Sequence, residues 1–355
     1  HFHGESVINR FQFENINRRG YAMRKLLLTS TALVAATSIA GLAQAADISV
    51  TGSFEWRYVD QQSDITASNG DDFGTDNEVV ISFTEKTDNN ITLTGRYDID
   101  ADGAGDAGSF DESSLTIAGD FGTIRLGLDD GVEDAFGVDE SDLIAEDAAY
   151  APSSSSILTN SGATGNTDAN KITYFLPPSI PNLSAGISFT DSGSNQSTAT
   201  DRTTYGASYN VPFGSGNALF EYNAGTTENS TAGGVDTDHD NYGVTLTFGA
   251  WTGSISASTQ ENGTSDNEAT GLAVRYNMGN GVVLAASTLD SEDDQQVNAG
   301  QPESYNADMF EIGYTLVPGL TAHLTYVDYE YRVGGAAAAS DDTGSATSVN
   351  IRAAF

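Results

Sequence analysis

From Asp47 onward the chain keeps a period of two, and that alternation limits what it can fold into more than any other feature. Ile48, Val50, Phe54, Trp56 and Tyr58 fall on one face of an extended stretch, and Ser49, Thr51, Ser53, Glu55 and Arg57 on the other. Such alternation means a strand with one apolar and one wet face. The pattern resumes in Val79, Ile81 and Phe83, then in Ile91, Leu93, Tyr97 and Ile99, then in Leu115 and Ile117. After residue 170 it returns as pairs of runs around short turns at Pro177 to Asn182, Pro212 to Asn217, Gly249-Ala250, Gly279-Asn280-Gly281 and Val317-Pro318-Gly319. The run from Val282 to Leu289 is ambiguous in its facing, and the last run carries Val349, Ile351, Ala353 and Phe355.

The reading is sixteen strands joined by eight long connections and seven short turns, with Asp60 to Asp76 and Asp100 to Asp111 among the long ones. An even strand count puts both termini on the short-turn side, as in single-chain outer-membrane barrels. A soluble sandwich would also show alternation, but its inner faces must be apolar. Here one face is Thr, Ser, Arg and Glu, which suits a watery lumen, and the other gathers Tyr, Phe and Trp near strand ends, which suits an interfacial girdle. Closure removes the edges that an open sheet of this size would expose. The expected fold is all-β, a 16-stranded antiparallel transmembrane β-barrel.

A leader precedes it. Met23-Arg24-Lys25 gives a start and a positive segment, Leu26 to Leu42 is largely apolar, and Ala43-Gln44-Ala45 is a small-x-small cleavage site. Residues 1–22 are read as an upstream extension outside the fold, 23–45 as a signal peptide and 46–355 as the barrel. Nothing after Ala46 approaches the roughly 20 apolar residues of a spanning helix. The absence of cysteine fits export to an oxidising compartment.

With the five basic and two acidic residues before Ala46 set aside, nine Lys and Arg face 48 Asp and Glu, a net of −39. That sign argues against nucleic acid as a partner and favours small cations, divalent ones above all.

One long interruption stands apart. After Gly119-Asp120-Phe121-Gly122 and the strand Thr123 to Leu128, residues 129–170 show little strand pattern. They carry Asp129, Asp130, Glu133, Asp134, Asp139, Glu140, Asp142, Glu146, Asp147 and Asp168, with no Lys or Arg until Lys171. A loop this long inside a compact fold needs a purpose. Partly filling the hole that the strands enclose is one.

With the leader, the meander, the Gly119 to Leu128 turn and the ending Arg352-Ala353-Ala354-Phe355 in view, Ala46 to Phe355 resembles the general diffusion porins of Gram-negative bacteria, most closely the alphaproteobacterial type. The resemblance implies a homotrimer in the outer membrane, among its lipid and lipopolysaccharide. It gives Phe355 the role of a signal to the outer-membrane assembly machinery. It also implies that the loop after the fifth strand folds inward and sets acids against basic residues of the wall, for which Arg57, Arg96 and Arg125 are the candidates. The Pro-Glu-Phe segment of enteric porins is missing from this loop, where Phe136-Gly137-Val138-Asp139 stands.

Other motifs are weaker. Asp98, Asp100 and Asp102 with Gly103 have the spacing of a calcium loop, but Ser109 holds the position of its bidentate Glu. Gly103 to Gly108 imitates a dinucleotide loop with acids where a helix should follow. His239 and His323 alone survive in the mature chain, and no Gly-x-Ser-x-Gly is present, so no catalytic residue is assigned. The expected function is passive diffusion of small hydrophilic solutes and ions through a water-filled, cation-selective pore, with no required cofactor and calcium as a possible ligand. Two alternatives remain open: a substrate-specific channel, expected to show a track of lumen aromatics, and a barrel-anchored acidic surface protein that binds divalent cations.

Overall fold

The computed structural model describes residues 46–64, 69–100, 109–144, 157–162, 169–191, 201–229, 234–263, 265–298, 301–332 and 341–355. The segments read as upstream extension and leader lie outside these residues, as do Asp102, Glu146, Asp147 and Asp168. Sixteen strands follow in order: β1 (Asp47–Ser63), β2 (Gly70–Lys86), β3 (Thr92–Asp100), β4 (Ser109–Gly119), β5 (Gly122–Asp129), β6 (Ala169–Phe175), β7 (Leu183–Thr190), β8 (Arg202–Phe213), β9 (Gly216–Thr227), β10 (Thr237–Phe248), β11 (Trp251–Asn262), β12 (Ser265–Gly279), β13 (Val282–Asn298), β14 (Gln301–Val317), β15 (Leu320–Arg332) and β16 (Asp342–Ala354). Each pairs antiparallel with its chain neighbours, and β16 pairs with β1 to close the barrel.

The outward face is the apolar one. Phe54, Ile172, Leu246, Ile255, Leu272, Phe310, Ile312 and Val349 are all exposed in the single chain. Without lipid against it, such a band would be a large aggregation surface. Aromatics gather at the short-turn rim, where Phe248 and Trp251 flank the Gly249-Ala250 turn and Trp251 lies 4.3 Å from Tyr276 between ring centroids. Amphipathic rings belong at that boundary. The short turns rest on residues that tolerate positive φ: Gly249 sits at +59° and the Asn280-Gly281 pair at +55° and +83°. Leu272, 48% exposed, lies midway along β12. Leu272→Arg is expected to cost about 2–4 kcal/mol in bilayers; an unchanged urea midpoint in lipid vesicles would contradict the lipid-facing assignment.

The strand count and the side of the termini match the sequence reading, but several long connections are shorter than expected. Asp60 to Gln62 and Gly70 to Asp76 are strand, with Asp60 opposite Asp71 and Gln61 opposite Gly70. Only two residues separate β11 from β12, and two separate β13 from β14. Acidic segments such as Asp290 to Asp293 therefore continue the ladder. Strands that rise beyond the lipid have water on their outer face, so pairing persists while the polarity alternation that marks a membrane strand disappears. Leu289, on the run of ambiguous facing, points inward and is 2% exposed.

Candidate functional site: the constriction loop and its wall

The loop after β5 enters the barrel, and its own side chains explain why. Val132, Phe136, Val138, Leu143, Ile144, Ile157 and Leu158 are all buried. They sit on one turn of helix, α1 (Val132–Ala135), a short 3-10 turn (Ser141–Leu143) and the return limb at 157–162. Ile144, Ile157 and Leu158 join Leu289, Tyr305, Met309, Val327, Tyr329 and Tyr331 of the inner wall in one apolar cluster. A hydrophobic core thus forms inside the barrel on the β12 to β15 side.

The receiving wall is shaped for the loop. Glycines occur at inward positions of β7, β8, β10 and β12, namely Gly186, Gly206, Gly243 and Gly271. A Cβ at Gly186 would lie 2.9 Å from Val132 Cγ1, and one at Gly206 would lie 2.8 Å from the Phe136 ring. At Gly243 it would overlap Val138, and at Gly271 it would overlap Ser161 and lie 2.6 Å from Glu140 Oε2. Glycine weakens a strand interior and marks a close approach; here the approaching chain is the loop.

Polar anchors run beside these glycines. Val132 N–H donates to Ser188 Oγ at 2.9 Å, and Thr204 Oγ1 donates to Glu133 Oε2 at 2.6 Å. Arg202 stands 3.8 Å from Glu133 and donates to His239 Nε2 at 3.1 Å. Asn223 Nδ2 donates to the carbonyls of Glu133 and Phe136 at 3.4 and 3.3 Å. Farther round, Asn241 Oδ1 accepts from Val138 N–H at 3.0 Å, while its Nδ2 donates to the carbonyls of Val138 at 3.0 Å and Ser161 at 2.7 Å. Ser161 donates to Glu140 Oε2 through its N–H at 2.9 Å and its hydroxyl at 2.5 Å.

The loop acids therefore divide. Glu133 and Glu140, each 1% exposed, face the wall and hold the loop. Asp129 is also buried and pairs with Arg125 at 2.8 Å. Glu133 and Glu140 supply the polar anchors the loop needs on a polar wall, and Asp129, the last residue of β5, lies against a wall base. Asp130, Asp134, Asp139 and Asp142 are partly exposed. Asp139 and Asp142 cap each other's backbone, with Asp142 N–H donating to Asp139 Oδ1 at 2.9 Å and Asp139 N–H to Asp142 Oδ2 at 3.0 Å.

Burial, and next the charge of Asp139, push the Glu140 carboxyl up to about 8. A carboxyl raised above its unfolded value near 4.5 is more often protonated in the docked loop than in a released one. Docking is then strongest below about pH 4.5, weakens as pH rises and levels off above about pH 8. Open-channel noise is expected to grow between pH 5 and pH 9. Glu140→Gln should flatten that dependence, and an identical pH profile in the variant would contradict it.

The basic candidates lie on the inner face of β1, β3 and β5. Arg96 donates to Asp98 at 2.6 Å and to Glu112 at closer range, and stands 3.8 Å from Glu78. Arg125 is shared between Asp129 and the Phe175 ring, 5.7 Å below it. Arg57 lies beside Gly74 on the same inner face. Arg96 meets acids of its own wall, and Arg125 meets Asp129, the first acid of the loop segment. Asp98 and Asp100 belong to β3, Asp102 lies outside the described residues, and among the described residues no group of three or more His, Asp or Glu is arranged to hold a metal ion. Tyr305, Tyr329 and Tyr331 face inward but lie at 1–3% exposure against the wall and the loop, so they offer solutes no aromatic track.

Comparison with known proteins agrees with this architecture. A family model described as Gram-negative porin matches residues 29–353. No curated protein sequence matches the chain. Among solved structures, the outer membrane protein OmpT of Vibrio cholerae in its trimer form superposes with a TM-score of 0.66 at 11% identity, covering 88% of this chain and 100% of that one. An anion-selective porin from Comamonas acidovorans gives 0.61 at 14%, covering 87% and 100%. A mutant of Rh. blastica porin gives 0.61 at 16%, with the same coverages.

Proposed function

The chain belongs to the Gram-negative porin family, a family of outer-membrane β-barrel channels, and from that premise we propose that it is a homotrimeric, cation-selective pore for passive diffusion of small hydrophilic solutes. No bond is made or broken; the protein supplies a wet path of fixed width and sign.

The observation that carries the sign is the pairing of the wall arginines with wall acids. The inner face of β1 to β6 bears Asp47, Glu55, Asp72, Asp76, Glu78, Asp98, Asp100, Glu112 and Asp129 against Arg57, Lys86, Arg96, Arg125 and Lys171. Arg96 spends its charge on three of those carboxylates and Arg125 on one. Carboxylates outnumber bases on this wall, Asp130, Asp134, Asp139 and Asp142 add to the excess, and a narrow acidic passage concentrates cations. One barrel of the same fold is anion-selective by its description, so these charges, and not the fold, decide the sign.

The trimer form of the Vibrio cholerae protein supports the proposed assembly. Phe355, 71% exposed, closes the seam through Phe355 N–H to Gly52 O at 2.9 Å and presents its ring at the rim, where assembly machinery could read it. The reversal potential in a salt gradient tests the sign. Cation preference that fades at high salt, as the screening length shortens, is expected; anion preference would refute the reading.

A further inference from the structure

We propose that the aperture is set from the far wall, by a clamp of Asn241, Gly243, Ser256 and Gly271 on β10, β11 and β12 that grips both limbs of the constriction loop at once. The proposal rests on the loop being the constriction and goes further, because these residues lie on strands other than β1 to β6, which carry the wall charges.

Asn241 is fully buried, and its amide acts as one more peptide group in a sheet. It accepts from Val138 N–H and donates back to Val138 O, both at 3.0 Å, which is the reciprocal exchange that ties two antiparallel strands. The same Nδ2 reaches the Ser161 carbonyl on the returning limb at 2.7 Å. One side chain therefore fixes the outgoing and the incoming limb. Ser161 extends the grip, with its hydroxyl 2.5 Å from Ser256 Oγ and both of its donors on Glu140 of the outgoing limb.

The glycines make the grip selective for one loop position. Val138 occupies the space that a side chain at Gly243 would take, and Ser161 with Glu140 occupies that of Gly271. The loop can lie this close to the wall only while both positions lack a Cβ. Release of either limb would free a buried backbone N–H or carbonyl, which is costly where water does not replace the partner. The loop is therefore either seated or out, with no gradation between, and a seated loop gives one channel width.

Two substitutions in the full-length protein test this. Asn241→Ala removes the double hook. Gly271→Ala removes no hydrogen bond and adds one methyl, whose closest neighbours are all atoms of the loop. The barrel of Gly271→Ala is expected to fold and remain heat-modifiable, so it decides the question even where Asn241→Ala is too damaging. Expected is loss of the single conductance level in planar bilayers, replaced by several levels, together with entry of larger sugars in liposome swelling. Ser161→Ala in the Gly271→Ala background, which clears the overlapping hydroxyl, should restore part of the single-level behaviour. A purely structural role for Gly271 would not give that rescue. Folded Gly271→Ala with the wild-type level and the wild-type size limit would overturn the clamp. Silence from the wild-type protein itself would instead refute the channel reading on which the clamp rests.

Discussion

Replacing Phe136 by alanine should loosen the constriction more than any other single truncation in the loop. Its ring is 4% exposed, sits over Gly206 and meets Phe175 edge-on at 6.0 Å between centroids. No wall side chain can move in to fill the gap, because the seat beneath the ring is a glycine. A buried phenylalanine truncated at a site that cannot collapse costs about 3–5 kcal/mol. That loss falls on loop docking and leaves the ladder of the barrel alone, so thermal stability should change little. Backbone amides from Val132 to Val138 should exchange with deuterium about a hundredfold faster, the factor that corresponds to roughly 3 kcal/mol of local opening. Unchanged exchange in that segment would mean that the ring is not what seats the loop.

The second large effect is electrostatic. Glu133 and Arg202 lie 3.8 Å apart, both almost fully buried between α1 and β8. Arg202→Met leaves the carboxylate buried with the Thr204 hydroxyl but without a guanidinium beside it. Breaking a buried pair from one side costs about 3–5 kcal/mol, because the remaining charge keeps its desolvation penalty. The first limb of the loop should detach, and open-channel noise should rise. Glu133→Gln in the same background should recover much of the loss, since an amide can still accept from Thr204 and carries no charge. If the double variant is as noisy as Arg202→Met alone, the effect comes from packing around Arg202 and not from the stranded carboxylate.

What the sequence disclosed follows from the solvent on each side of the wall. Where lipid lies outside and water inside, as along Ile172, Tyr174 and Leu176 or Phe310, Ile312 and Tyr314, alternation alone marks the strand and its facing. Two environments break that rule. Above the lipid the outer face of β13 and β14 meets water, so Asp290 to Asp293 reads as a loop although it is paired. Beneath the loop the inner face is dry, so Leu289, Met309 and Val327 point into the barrel although they look lipid-facing.

The constriction was legible as a place but not as a mechanism. The position and acidity of residues 129–170 identified the loop. Which acids anchor and which border water depended on contacts from Thr204, Arg202 and Ser161, up to 71 residues away from the carboxylate they meet. A signal for the seat was present in the strands themselves. Gly186, Gly206, Gly243 and Gly271, with Asn223 and Asn241, occupy inward positions in runs where β-branched or aromatic residues would be the ordinary choice. Residues that weaken a strand, repeated on one face, point to another chain lying against it.

The central claim is an open, acidic pore narrowed by a seated loop, and single-channel current through the purified mature protein in a planar bilayer under a salt gradient tests it most directly. The account predicts stepwise conductance at one level per pore, arriving in threes, with a reversal potential of the cation-selective sign. Absence of current from correctly folded, heat-modifiable protein would contradict it, because the barrel would then hold no continuous aqueous path.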